Sequence, residues 1–146
     1  MLKNNEKVAK FKVIARDALR SELVSSRLSR IASIETEIKN VEEYKKEKEL
    51  DLTTEKYEIS KLDTEHPKYD KEKAYKEETV THLTKSVEDQ VEVLKKLEDD
   101  KKEQTEAITK IETGETKVSL ERLNDLVQDM IKQDALNAVA TVKEDK

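Results

Sequence analysis

Apolar residues recur every seven positions along two stretches of this chain, 24–62 and 80–111. In the first stretch one position of the repeat reads Val24, Ile31, Ile38, Lys45, Leu52 and Ile59, and its companion reads Ile34, Val41, Lys48, Glu55 and Leu62. In the second, the two positions read Val80, Val87, Leu94, Lys101, Ile108 and Leu83, Gln90, Leu97, Gln104, Ile111. A repeat of seven with alternating steps of three and four keeps one stripe of a helix facing a partner helix. Between the stretches stands Pro67, the chain's one proline. Proline is disfavoured inside a helix and welcome in the first turn of a new one, so the chain is expected to fold back there.

The pattern predicts an all-α fold of three helices in a single elongated domain spanning residues 1–146. The first helix is expected over about 5–63, opening near Asn4 or Asn5, both good N-caps. At about 1.5 Å per residue it would be roughly 90 Å long. A tip follows over 64–69, then a second helix over about 70–112. The turn 113–116 holds Gly114, the residue type that supplies a left-handed conformation just beyond a helix end. The third helix is expected over about 117–140, capped by Thr116 or Ser119. Its residues Leu120, Leu123, Leu126, Val127, Met130, Ile131, Leu136 and Val139 offer a broad apolar face.

A reversal centred on Pro67 sets Leu52 against Leu83, Val41 against Leu94, Ile38 against Leu97 and Val24 against Ile111. Layers near Lys45, Lys48 and Glu55 are half polar. Lysines tolerate a thin seam because their ammonium groups reach water. The early part of the first helix carries a wider apolar arc, from Val8 and Phe11 through Val13, Ile14, Ala15, Ala18 and Leu19 to Leu28 and Ile31. An arc this wide suits contact with more than one helix. The expected architecture is therefore an antiparallel hairpin, a coiled-coil stalk, with the third helix packing at the terminal end to make a three-helix head.

Composition sharpens this picture. Charged residues make up 43% of the chain and aromatics 3%, with no cysteine. Disulfides and thiolate metal sites are excluded, which fits a reducing compartment. No apolar run approaches the roughly 20 residues of a membrane span, and no signal-peptide core is visible, so a cytoplasmic or virion location is expected. The net charge of −5 is unevenly spread. The first thirty residues are strongly basic through Lys3, Lys7, Lys10, Lys12, Arg16, Arg20, Arg27 and Arg30, and the remainder is acidic. These cations form a candidate surface for an anionic partner. The competing expectation is that they face water or pair with acidic residues of the third helix such as Asp125 and Asp129.

Catalytic chemistry finds no foothold in the pattern. There is no His-Glu-x-x-His, and one glycine cannot build a phosphate-cradling loop. His66 and His82 read as solvated side chains. Glu78 and His82 are four residues apart, which departs from the three-residue spacing of bundle metal sites. Tyr44, Tyr57, Tyr69 and Tyr75 read as packing at the seam edge or as a recognition surface, and His66, Pro67 and Tyr69 mark the tip. No catalytic residue, metal, cofactor or small-molecule substrate is expected. The expected function is a non-enzymatic structural or adaptor coiled coil, a subunit of a larger assembly such as a phage or bacterial complex, associating with a protein partner or with itself. The alternative is a nucleic-acid-associated coiled coil that uses the basic N-terminal helix.

Overall fold

A computed structural model describes residues 4–144, with side chains over 5–140. Three α-helices and no strand occur among these residues: α1 (Asn4–Ser60), α2 (Tyr69–Glu112) and α3 (Leu120–Glu144). No glycine or proline interrupts the first 66 residues, and Glu, Lys and Leu are the commonest, so nothing local stops α1 before its end.

The end of α1 comes at Ser60, ahead of the proline. The amides of Lys61 and Leu62 bond back three residues, to the carbonyls of Glu58 and Ile59, which tightens the last turn. Asp63 then accepts the Glu65 amide on Oδ1 at 3.0 Å, a side-chain turn that takes the backbone out of the helix. His66 caps the start of α2. Its Nδ1 accepts the Lys68 amide at 3.1 Å, its carbonyl accepts the Tyr69 amide at 3.0 Å, and Pro67 stands in the turn that leads into α2.

Gly114 ends α2 with φ of +82°, the only positive φ among the described residues. Its amide returns to the Ile111 carbonyl, and the Lys110 carbonyl is taken by the Thr116 amide. A side chain at this position is strained whatever space surrounds it. A Cβ there would meet Arg20 Nη2 at 3.6 Å, an ordinary contact, so the strain is in the backbone. We expect Gly114→Ala to cost about 1–2 kcal/mol in a urea melt, with no loss of helix signal by circular dichroism before the transition. No change in the midpoint would contradict the conformation. The α3 N-cap is Ser119, whose Oγ accepts the Arg122 amide at 3.4 Å and whose carbonyl accepts the Leu123 amide. This cap starts α3 at Leu120 and leaves Lys117 and Val118 outside it.

Contacts divide the chain into two units. One comprises Met1–Ser29 with Gln104–Lys146, the other Arg30–Glu103. In the first, Ala15 and Leu19 of α1 and Leu123 and Val127 of α3 form a buried cluster, with Phe11, Leu126, Met130 and Ile131 packed around it. Ile111 and Gln104 of α2 are also buried there. Gln104, the one buried polar residue among those described, accepts a hydrogen bond on Oε1 from Arg27 Nη1 at 2.9 Å. The wide apolar arc of α1 is only partly covered: Val13, Ile14, Ala18 and Leu28 stay exposed. The second unit buries Ile34 and Ile38.

Every position of the four heptad ladders is buried or half-buried, the polar ones included. Polar seam residues turn outward to carboxylates or cations at the rim. Lys45 reaches Glu49 at 3.5 Å and Lys48 reaches Asp51 at 3.9 Å. Across the helices, Lys101 meets Glu35 at 3.3 Å and Arg30 meets Asp100 at 3.3 Å. Lys76 meets both Glu58 at 2.6 Å and Glu55 at 3.6 Å. The hydrogen bond to Glu58, helped by the charge of Glu55, raises the Lys76 pKa against the opposing effect of desolvation. A raised lysine pKa adds stability that is complete below the ordinary lysine value and fades only as alkali titrates the paired ammonium.

Candidate functional site

The basic residues of α1 lie in different local surroundings. Lys3 lies outside the described residues. Lys7 pairs with Asp134 of α3 at 3.3 Å, Arg27 is held by Gln104, and Arg30 pairs with Asp100. Lys10 and Lys12 are exposed with no ion-pair partner among the described residues. The acidic partner that α3 supplies is Asp134, rather than Asp125 or Asp129, because Asp134 lies on the half-buried side beside Ile131. Charge matching also runs the other way: Arg122 of α3 pairs with Glu22 of α1 at 2.9 Å. That hydrogen bond, with the Glu22 charge behind it, raises the Arg122 pKa.

Arg16 and Arg20 are different. They line a cleft of about 320 Å³ together with Gly114, Lys117, Val118, Leu120 and Leu123. Two arginines one helical turn apart on α1 therefore meet a lysine from the α2–α3 turn. None of the three has a carboxylate partner among the described residues. Arg20 is half-buried, and its Nε is a buried donor without an acceptor. The Arg20 guanidinium lies beside the turn at Gly114. Val118, Leu120 and Leu123 give the cleft an apolar wall. Such a site can bind an anion that also carries some apolar surface.

Sequence reasoning singled out Arg16 and Arg20 but missed Lys117. The available signal was a lysine placed between a C-terminal glycine and a serine cap, where helix ends bring distant residues together. At the other end of the chain, His66 and Pro67 are exposed and Tyr69 is half-buried. His66 serves the backbone as a cap. Three of the four tyrosines lie under a lysine one turn on: Lys48 over Tyr44 at 5.1 Å, Lys61 over Tyr57 at 5.5 Å and Lys73 over Tyr69 at 5.8 Å. Exposed contacts of this kind contribute about 0.5–1 kcal/mol each. His82 is exposed beside Glu78, with 3.7 Å between Nε2 and Oε1.

No described helix is long and apolar enough to cross a membrane. No group of three or more potential metal ligands occurs among the described residues. The chain matches no family model, no curated protein and no solved structure.

Proposed function

We propose that this chain is a non-enzymatic structural or adaptor protein that works as a helical subunit of a larger protein assembly. In this reading Arg30–Glu103 is an antiparallel coiled-coil hairpin. The other unit is a three-helix bundle that carries the docking side chains. The hairpin is supported by the ladder burial and by the order of cross-helix pairs: Arg30 and Glu35 meet Asp100 and Lys101, whereas Glu55 and Glu58 meet Lys76. The bundle is supported by the α1–α3 pairs at Lys7–Asp134 and Glu22–Arg122 around the Ala15–Leu123 cluster.

The observation that carries the docking role is apolar surface left uncovered in one unit. Leu120 is 73% exposed and Leu136 64%, and Val13, Ile14, Leu28 and Val139 are exposed beside a small core. Large apolar side chains left in water in this number suit a surface that a protein partner covers. In gel filtration of a native extract, the protein is expected well above its own mass of 16.9 kDa. The paired change Leu136→Glu and Val139→Glu should release it as a folded monomer. A strict monomer at high concentration that melts cooperatively well above physiological temperature, and that elutes alone from the extract, would overturn the proposal.

The exposed, unpaired Lys10, Lys12 and Arg16 favour a second reading, association with nucleic acid through the N-terminal part of α1. Binding of that kind would weaken steeply with added salt, whereas apolar docking would not.

A further inference from the structure

We infer that the cleft between α1 and the α2–α3 turn binds a small phosphate monoester. The anionic group would lie among Arg16, Arg20 and Lys117, and the organic part against Val118, Leu120 and Leu123. This goes beyond the adaptor reading and stands independently of it.

Four observations converge. The site is concave and roomy, at about 320 Å³, and is built entirely within one unit of the chain. Its charged lining is wholly cationic, and each cation lacks a carboxylate partner among the described residues, although 34 acidic residues are available in the chain. Elsewhere in the same unit Lys7 and Arg122 have found carboxylates, whereas these three cations share one cleft with none. The buried Nε of Arg20 has no acceptor. A buried donor left unmade costs free energy, and a rotation of the Arg20 side chain that brought Nε to a ligand oxygen would recover it. Guanidinium groups present a fork of donors that suits phosphate oxygens, and a lysine adds a point charge. Leu120, the first residue of α3, also lines the cleft, so the positive end of that helix adds to the field there.

The lining also speaks to the kind of anion. Inorganic phosphate would leave Leu120 and the exposed part of Val118 in water. A monoester with a small apolar or aromatic group would cover them. A nucleic acid would use the exposed Lys10 and Lys12 as well, and gains nothing from an apolar wall.

The test uses the full chain and its single glycine. Gly114 stands in the wall of the cleft, so its amide resonance reports occupancy at the site itself. Sodium phosphate, phenyl phosphate and a short DNA duplex are titrated separately at constant ionic strength set with sodium chloride. We expect a saturable shift of the Gly114 resonance with both phosphates, and phenyl phosphate binding at least about tenfold more tightly than inorganic phosphate. Arg20→Gln and Lys117→Gln should each weaken binding by about tenfold or more while Lys96→Gln leaves it unchanged. Lys117 lies outside the helices, so its variant preserves the fold if Arg20→Gln does not. No saturable shift over chloride, or equal binding in the Lys117 variant, overturns the site. Equal affinity for the two phosphates overturns the role of the apolar wall. A response to duplex at far lower concentration than to phenyl phosphate replaces the small-molecule ligand with nucleic acid.

Discussion

Replacing Leu123 by alanine is expected to lower stability by about 2–5 kcal/mol, the usual cost of emptying a leucine-sized volume in a packed core. Leu123 is buried at the centre of the cluster that joins α1 to α3, with Ala15, Leu19 and Val127 as its buried neighbours. The core of this unit is small, so little surrounds the deleted atoms that could move in to fill the space. Lys45→Ala offers the contrast. Lys45 occupies a ladder position too, but its ammonium pairs with Glu49 one turn away at the rim, and such pairs contribute only a few tenths of a kcal/mol. Urea melts followed by circular dichroism measure both. Equal losses at the two positions would mean that Leu123 is not in a packed core.

Ala15→Leu is expected to be damaging for the opposite reason. Ala15 is the most buried side chain among the described residues, at 0% exposure. It stands one turn from Leu19 on the face that meets Leu123 and Val127, so a methyl group sets how closely α1 approaches α3 there. Three further carbons must push the helices apart or take strained rotamers, at about 1–3 kcal/mol. The same substitution at exposed Ala18 should stay within about 0.5 kcal/mol, because nothing packs against it. If both positions accept leucine equally, the close approach is absent.

Residues that repeat were the readable ones. The ladder from Val24 to Ile59 marks the covered stripe of α1 because helical geometry alone decides which residues share a face. The caps were partly readable. Ser119 and Gly114 have the chemistry that helix ends require, and both serve there. Asp63 did not stand out beside Pro67. Its side chain ends α1 early through a hydrogen bond to the Glu65 amide, a local event with no periodic signature. Val13, Ile14 and Leu28 look like core from the sequence and lie exposed. Periodicity says which face is apolar but not how wide a neighbour will cover it. The cleft was the least legible feature. Arg16 and Lys117 are a hundred residues apart, and they meet only because the α2–α3 turn places Lys117 beside α1. No pattern within either segment encodes that meeting.

Heptad repeats leave a folding chain with a hazard, since a shift of seven residues restores the apolar match and traps the pair out of alignment. The ion pairs of residues 30–103 work against both nearest shifts. Moving α1 one way sets Asp100 beside Glu37 in place of Arg30. Moving it the other way sets Lys76 beside Lys48 in place of Glu55. Each like-charge encounter costs only tenths of a kcal/mol, yet it replaces an attraction of similar size. The charges at the seam thus discriminate between alignments that hydrophobicity alone cannot separate. Salt screens them, so refolding in concentrated salt should pass through more trapped, misaligned species than refolding in dilute buffer, even where the final stability is nearly the same.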